Sequence, residues 1–349
     1  MPQSHAPRAN LRRPTAYSDL NAVLAFLVDG AKRALGENFL GAYLQGSFAV
    51  GDATEFSDCD FIIVTYRDLQ TQEVAQLQSL HDAIHELPYP YWRSGLEGSY
   101  FPATILRRLS PAPRDPPGEP RGPDWSDPGL SGSPARRYPL WYLDHGAKRL
   151  VRSEHDNTQV VRWCLREKGV VLAGPPPKSL IDPVSASELR SEVRETMDLV
   201  LSLGLQPMEL VAWQAFWVGL FCRMLHTLAS GAVWSKKVSM AWAQSHLDAR
   251  WQGLIGRAAA VRKGDAAQSG QPADPSDVAQ TRALALYALE FADKTTRSLE
   301  ILERRLAEKR GPGGFNQGRG RGASLAGARP SASKFTPKPT RPGGRRGRG

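Results

Sequence analysis

The sequence predicts an α/β layered domain, then an all-helical domain, then a disordered tail. Three observations support this prediction. Helical and strand patterns alternate over residues 17–109, almost every later segment up to residue 309 has helical periodicity, and residues 310–349 are dominated by Gly, Pro, Ser and Arg. The 349 residues give room for two ordinary domains, and the 41% apolar content is typical of a globular protein.

The first predicted domain covers residues 17–109 and begins with a helix over residues 18–35. This helix has one apolar stripe, made of Leu20, Val23, Leu24, Leu27, Ala31 and Ala34. Three later segments are typical of strands: "FLGAYLQ", "DFIIVTY" and "LEGSYFP". Between the last two, "TQEVAQLQSLHDAIHEL" has helical periodicity, so helices and strands alternate along this domain.

Residues 110–137 form a Pro- and Gly-rich excursion, with the composition of either a linker or an active-site loop. After it, residues 138–309 are predicted to be almost entirely helical. Helices are expected near residues 157–168, 187–203, 208–231, 236–263 and 276–308. This part of the chain therefore predicts a helical bundle.

The formal net charge of +10 is concentrated at the two ends of the chain. Residues 309–349 hold eleven Lys or Arg and no acid, so the remainder carries −1, and without Arg8, Arg12 and Arg13 it carries −4. We interpret residues 1–16 as a disordered basic segment and residues 310–349 as a disordered Arg/Gly-rich tail. Two roles are open for the tail: weak contact with RNA or another polyanion through counterion release, or solubilisation alone.

The sequence does not support a membrane protein or a protein stabilised by disulfides. The longest apolar runs, such as "FIIV" and "FWVGLFC", are much shorter than the roughly 20 residues that span a bilayer. The N-terminus has no apolar signal-peptide stretch, so we expect a cytoplasmic protein, with a transit peptide as the alternative. The widely spaced Cys59, Cys164 and Cys222 match neither a disulfide framework nor a zinc site.

The stretch "YLQGSFAVGDATEFSDCDFIIV", residues 43–64, contains a candidate phosphate and metal site. Gly46 and Ser47 form a turn after a strand, where backbone N–H groups and a hydroxyl can hold a phosphate. Asp58 and Asp60, two residues apart on a strand, are expected to point to the same face. Paired carboxylates suit Mg²⁺, especially when substrate phosphates complete its coordination.

Glu97, in "GLEGSY", is a candidate third carboxylate from a neighbouring strand. Together these residues predict metal-dependent phosphoryl or nucleotidyl transfer. The alternative is an ordinary Gly-Ser turn and a solvated Asp-x-Asp strand end, since Asp-x-Asp alone is common. The sequence contains no Walker-A motif, no Gly-x-Ser-x-Gly elbow and no Rossmann fingerprint ahead of a helix.

The order strand, Gly-Ser, Asp-x-Asp, strand resembles the signature of the nucleotidyltransferase superfamily. That resemblance implies a mixed sheet with helices packed on it. The segments "VVLAGPPPKSLIDPVSASELRSEVRETM" and "CRMLHTLASGAVWSKKVSMAW" resemble the helical domain of the aminoglycoside 3''-type (streptomycin/spectinomycin) adenylyltransferases. The resemblance covers about residues 18–300, interrupted by the excursion.

The resemblance implies a role for individual residues. The metal aspartates fall on Asp58 and Asp60, and the catalytic base falls on Glu97. The phosphate-binding serines fall on Ser47 and Ser57. An arginine and a lysine thirteen positions later, followed by a tryptophan after six more, reach the triphosphate region in the family; the matching residues are Arg223, Lys236 and Trp242.

The acceptor-binding positions depart from the family pattern. The resistance enzymes bind a cationic drug through acids fourteen and ten positions before the arginine, which are Glu209 and Trp213 here. One acid is kept and one is replaced by an aromatic residue, which weakens the case for streptomycin itself. For Arg223, a snorkelling or ion-paired residue of an apolar helix is the alternative.

These features predict a monomeric enzyme that transfers AMP from ATP to a hydroxyl of an aminoglycoside or a similar small, hydroxylated molecule. Two Mg²⁺ ions are expected on Asp58 and Asp60, with pyrophosphate as the second product. Two alternatives remain: a nucleotidyltransferase that acts on RNA or protein, and a non-catalytic nucleotide-binding protein. The three carboxylates count against a non-catalytic protein. The net negative charge of residues 17–308 counts against an enzyme that acts on RNA or protein.

Overall fold

The fold was obtained as a computed structural model, which describes residues 13–54, 57–109, 137–262 and 270–310. Most of the basic N-terminus, residues 110–136 of the excursion and the Arg/Gly-rich tail from residue 311 therefore lie outside the described residues. The first compact unit ends at Ile301 and holds both the sheet and the helical part.

Six strands and eleven helices are described. In chain order they are α1 (Ser18–Leu35), β1 (Phe39–Leu44), α2 (Gly46–Val50), β2 (Cys59–Thr65), α3 (Thr71–His85), α4 (Pro90–Ser94), β3 (Leu96–Pro102), α5 (Ala103–Arg107), β4 (Leu140–Leu143), β5 (Leu150–Ser153), α6 (Gln159–Lys168), β6 (Val170–Ala173), α7 (Ala186–Ser202), α8 (Val211–Ser230), α9 (Lys236–His246), α10 (Gln252–Arg262) and α11 (Pro275–Arg310).

The strands form one mixed sheet in the order β5-β4-β3-β2-β1-β6. Only the β2–β3 pair is parallel, and α3 lies in the connection between these two strands. All other neighbours are antiparallel. A mixed sheet with helices, followed by a helical domain, confirms the predicted fold class.

Both faces of the sheet are covered, which explains why its central strands are apolar on both sides. Cys59, Phe61 and Ile63 of β2 pack in one buried cluster with α1 and α3, as the alternation in the sequence predicts. Ile62 and Val64, which alternate with them, belong to a cluster on the opposite face. Asp60 points to the same face of β2 as Ile62 and Val64. It lies at the N-terminal end of the strand, outside the cluster that these two residues join.

The helical domain has its own core. Residues from five helices meet in it, and α8 contributes the most because its sequence is apolar on nearly every side. Near the start of this domain, Cys164 of α6, Leu189 of α7 and Val233 form a smaller cluster, against which Val50 of α2 packs. Asp52, just after α2, accepts a hydrogen bond from the N–H of Lys237 at 3.1 Å. The turn that carries Gly46 and Ser47 is thus attached directly to the helical domain.

Two expectations about the second half of the chain are wrong. Residues after the excursion are not almost all helical, because β4, β5 and β6 complete the sheet, and the predicted domain start at residue 138 falls inside it. These strands have four residues each, too few to show a period, and they pair with β3 and β1 from distant parts of the chain. The single helix expected over residues 236–263 is two helices, because the Asp248 side chain accepts from the N–H of Arg250 and starts a new turn.

Two further features of the structure are its lack of a membrane-spanning helix among the described residues and the state of its cysteines. None of the helices in the described ranges has the length and apolar character that crossing a membrane requires. The three cysteines are all buried and free.

Candidate functional site

Asp60 and Glu97 are direct neighbours across the parallel β2–β3 pair. Residues paired in this way point to the same face of a sheet, so the two carboxylates lie side by side at one end of it. Asp58 precedes β2 instead of lying on it, and its side chain is half exposed to solvent. The predicted arrangement of Asp58 and Asp60 as two residues of one strand is therefore only partly correct.

Gly46 is the residue that lets the turn after β1 approach the acidic strand. Its φ of +59° is in the left-handed region, and a Cβ built on it would lie 1.8 Å from Oδ2 of Asp60. Any side chain would therefore have both backbone strain and a collision with the carboxylate. The absence of one brings the backbone of the turn directly against Asp60.

Ser47 and Ser57, the two predicted phosphate-binding serines, have different surroundings. The Ser47 hydroxyl oxygen is buried and has no hydrogen-bond partner among the described residues. A buried hydroxyl without a partner is costly, and a ligand oxygen would satisfy it. The Ser57 hydroxyl accepts a hydrogen bond from the N–H of Thr54 at 2.9 Å, so it already organises its own loop.

A group of metal-ligand type forms around Asp58, Glu97 and His145, whose ligand atoms all lie within 4.8 Å of one another. His145 Nδ1 lies 3.0 Å from Oδ1 of Asp58, and this contact joins the β4–β5 turn to the residue before β2. Asp60 is not a member of this group. The structure thus brings two of the three predicted carboxylates together with a histidine that the sequence analysis did not consider.

Glu97 is held by two aromatic residues. The Tyr142 hydroxyl donates to Oε1 of Glu97 at 2.6 Å, and His155 Nε2 lies 3.4 Å from the same oxygen. The two rings stack with centroids 5.1 Å apart, so they support each other as well as the carboxylate. Burial raises the pKa of Glu97, and the hydrogen bond from Tyr142 opposes that rise.

Negative charge is concentrated at this end of the sheet. Asp156 is buried beside the other carboxylates and accepts hydrogen bonds from Ser99 Oγ at 2.7 Å and Gln45 Nε2 at 3.3 Å. The pKa of Asp60 is raised to about 8, first by burial and then by the negative charges of Glu97 and Asp156. Several carboxylates gathered in one place are suited to binding cations.

The helical domain contributes two cationic side chains, Arg223 on α8 and Lys236 at the start of α9. Lys236 Nζ lies 4.4 Å from the centroid of the Phe216 ring, which supports it from below. The pKa of Lys236 is lowered to about 7, first by burial and then by the charges of Arg223 and Arg262, while Asp60 opposes this shift. Among the described residues, no salt bridge or side-chain hydrogen bond is made by Arg223 or Lys236. The predicted pair therefore lies together, close enough to the acidic strand for the charges to interact.

The predicted acceptor residues lie at the N-terminal end of α8. Trp213 is 43% exposed and packs edge-on against Phe216, the ring beneath Lys236. Glu209 is exposed, and its Oε2 accepts from the N–H of Met208 at 3.0 Å. Trp213 is thus connected to the cationic pair through one ring, whereas no described contact joins Glu209 to it.

Sequence patterns did not identify several groups at this site. They are Tyr142, His145 and Arg262, together with the contact of His155 on Glu97. Tyr142, His145 and His155 each contact a residue more than forty positions away in the chain. Arg262 lies 26 positions after Lys236, and no motif marks any of these residues. The one available signal was the polar run "EHDN" directly after a short apolar segment, at residues 154–157.

Two family models match the chain. The model of the nucleotidyltransferase domain matches residues 29–108, and that of the aminoglycoside adenylyltransferase C-terminal domain matches residues 179–287. Together they cover more than half of the chain. Tyr142, His145 and His155 lie in neither match.

One solved structure shows the same fold over most of its length. It is the crystal structure of spectinomycin adenyltransferase AAD(9) from Enterococcus faecialis with ATP and spectinomycin. It is 12% identical in sequence, the match covers 78% of this chain and 98% of that one, and the TM-score is 0.52. No curated protein matches this chain in sequence.

Proposed function

The chain belongs to the nucleotidyltransferases that carry the C-terminal domain of the aminoglycoside adenylyltransferases, and we propose that it transfers AMP from ATP to a hydroxyl group of an aminoglycoside or a similar small molecule. One observation supports this more than any other. A dense group of carboxylates on the sheet interacts electrostatically with unpaired cationic side chains of the helical domain. In a nucleoside triphosphate with its metal ions, the metal ions supply positive charge for the carboxylates, and the phosphates supply negative charge for the cationic side chains.

The triphosphate is held by groups from both domains. Arg223 and Lys236 bind phosphate oxygens through charge-assisted hydrogen bonds. The Ser47 hydroxyl, which has no described partner, donates to another phosphate oxygen, and the N–H groups of its turn lie alongside. Ser57 lies one residue before Asp58, and the family resemblance places it at the phosphates as well. The nucleotide then lies between the sheet and α8.

The donor set fits Mg²⁺. Asp58 and Asp60 offer hard oxygen ligands, and burial together with the neighbouring carboxylates raises the pKa of Asp60. His145 is the member of the group that does not suit Mg²⁺, and its contact with Asp58 must open for the carboxylate to bind an ion. When bound, Mg²⁺ supplies positive charge beside the α-phosphate and makes it a better electrophile. Two ions, as the resemblance implies, would share these aspartates.

Glu97 is the general base. Its carboxylate takes the proton of the acceptor hydroxyl while that oxygen forms a bond to the α-phosphorus. The bond from the α-phosphorus to the bridging oxygen of the β-phosphate breaks, and pyrophosphate leaves with the electron pair. Tyr142 and His155 fix the position of the carboxylate through their contacts with its Oε1. The raised pKa of Glu97 makes it a stronger base once it is ionised.

The acceptor binds where Glu97 remains accessible. It is a small hydroxylated molecule, and the surplus of carboxylates favours one with positive charge. Trp213, exposed beside the support of Lys236, offers a flat apolar surface for a sugar or cyclitol ring. Glu209 offers the single acid of the pair found in the resistance enzymes. The solved structure with ATP and spectinomycin supports an acceptor of this chemical class.

The test follows the two ends of ATP separately. The purified protein is incubated with Mg²⁺ and ATP labelled at the α- or the γ-phosphate, with panels of aminoglycosides, RNA and protein as acceptors. We expect the α-label on an aminoglycoside and the γ-label in pyrophosphate, and we expect Glu97→Gln to bind ATP but to transfer no label. The α-label on RNA or protein, or ATP binding without any transfer in the wild type, would refute the proposed reaction.

A further inference from the structure

We infer that Arg262, the last residue of α10, is a third cationic residue of the triphosphate site and binds the terminal phosphate of the nucleotide. The inference rests on the proposed function, because it requires a nucleotide between the sheet and α8. Neither the spacing of Arg223 and Lys236 nor any motif in the sequence identifies this arginine. It is identified by the packing of three helices.

Gly219 on α8 is the point at which these helices meet. A Cβ built on Gly219 would lie 3.7 Å from Cδ of Arg262 and 3.8 Å from Cδ of Lys236. Lys236 begins α9 and Arg262 ends α10, so both side-chain stems cross α8 at this glycine. Arg223 lies four residues further along α8, on the same face of the helix. Three cationic side chains from three helices therefore share one small region.

Among the described residues, no ion pair neutralises the charges of this region. In the described part of the chain, no salt bridge and no side-chain hydrogen bond is made by Arg223, Lys236 or Arg262. Burial lowers the pKa of Arg262; Asp52 opposes this effect and Arg223 adds to it. Three cations that repel one another and have no bound partner require an anion of high charge to stabilise them.

Other arginines of the helical domain show that such pairing is available. Arg257, on the same helix as Arg262, forms a salt bridge with Asp277. Arg194 on α7 forms salt bridges with both Asp198 and Asp293. These two arginines are paired with acids, whereas Arg262, which lies against two other cationic side chains, forms no ion pair among the described residues. Its position beside two other cations marks it as a binding residue.

The electrostatic neighbours of each cation place them in order along the nucleotide. Lys236 is affected by Asp58 and Asp60, so it lies on the side of the acidic strand, where the α-phosphate reacts. The acid that acts on Arg262 is Asp52, which follows α2 and accepts a hydrogen bond from the N–H of Lys237 instead of lying on the acidic strand. We assign Arg262 to the end of the nucleotide away from that strand. The phosphate furthest from the reaction centre is the terminal one.

The experiment compares ATP, ADP and AMP as ligands, measured by calorimetric titration without an acceptor. Arg262→Gln leaves a shorter, neutral side chain that can still donate a hydrogen bond, and Arg262→Lys keeps the charge on a long side chain. We expect Arg262→Gln to weaken ATP binding by about tenfold to a hundredfold, to weaken ADP binding less, and to leave AMP binding within twofold. Arg262→Lys should recover most of the loss.

The control is Arg282→Gln, which removes an exposed arginine of α11 that has no side-chain partner in the described part of the chain. It should bind ATP like the wild type. The unfolding temperature of ligand-free Arg262→Gln should be equal to or above that of the wild type, because one of three mutually repelling charges is removed. A purely structural arginine would lower it.

Two outcomes are decisive and separable. If the wild type binds ATP and Arg262→Gln binds it equally well, or if AMP binding falls as much as ATP binding, the assignment of Arg262 is wrong and the proposed function is unaffected. If the wild type binds no nucleotide at all, the proposed function itself fails and the inference fails with it.

Discussion

The close approach of the Lys236 and Arg262 side chains to α8 at Gly219 can be tested by replacing this glycine with larger residues. In the structure a methyl group at this position would meet Met240 Sδ at 3.6 Å, and the stems of Arg262 and Lys236 at 3.7 and 3.8 Å. These are ordinary van der Waals distances, so Gly219→Ala fits without displacement. Alanine also stabilises a helix interior by up to about 1 kcal/mol relative to glycine. Gly219→Ala should therefore raise the unfolding free energy by that amount and leave ATP affinity within twofold.

Gly219→Leu places three further carbon atoms in the space that the two stems occupy. Both cationic groups must move away from α8, and each charge-assisted contact with phosphate is worth about 1.5–3 kcal/mol. Loss of even one contact would weaken ATP binding by more than tenfold.

The assay is calorimetric titration with ATP, together with denaturant unfolding of each variant. The reasoning would be refuted by a Gly219→Leu protein that binds ATP like the wild type, or by equal losses in the alanine and leucine variants.

Four other predictions follow from single groups. Asp58→Asn should reduce label transfer by at least about a hundredfold with little change in urea unfolding, because its side chain is half exposed; activity within a few-fold of wild type would contradict its metal-binding role. His145→Ala should tighten Mn²⁺ binding measured by electron paramagnetic resonance, because ion and histidine compete for Asp58; weaker binding would show that His145 is itself a ligand. Burial lowers the pKa of His81 to about 4, and its ring is hydrogen-bonded to Tyr100. As the pH falls, His81 therefore takes up a proton in the unfolded chain before it does so in the folded protein. The unfolding free energy should fall by about 3 kcal/mol between pH 6.5 and 4. His81→Gln should lose that part of the slope in denaturant unfolding, and an unchanged slope would exclude His81 as its source. Deleting residues 312–349 should leave transfer to a small molecule and the unfolding temperature unchanged, whereas a large loss of transfer would favour a macromolecular acceptor.

Local patterns predicted those parts of the site that lie on regular elements. The apolar segment after Asp58, the strand of Glu97 and the long apolar helix of Arg223 all have signals within one window of sequence. What these signals could not provide is register. That Asp60 and Glu97 are direct neighbours depends on the parallel pairing of two strands separated by a helix, and pairing is decided by tertiary packing.

The missed groups have a different cause. Tyr142 and His145 lie on or beside β4, a strand of four residues that exists because β3 offers it an edge. Nothing within the segment itself distinguishes it from a piece of buried helix. Arg262 is missed for a related reason: the expected long helix over residues 236–263 would have placed it far from Lys236. The break near Asp248 turns α10 back, so that both residues reach Gly219.

The sheet takes three of its six strands from residues after the excursion, and β6 occupies the edge beside β1. A fragment ending at residue 109 would keep Ser47, Asp58, Asp60 and Glu97, yet it would expose the edges of β1 and β3 to solvent and to other chains. Such a fragment should aggregate or stay unfolded even though it holds the whole acidic motif. When residues 137–349 are supplied as a separate chain, their strands have the complementary edges, so the two pieces should assemble into one protein. The family-matched segment is thus a unit of sequence, whereas the unit that folds also includes the strands that follow it.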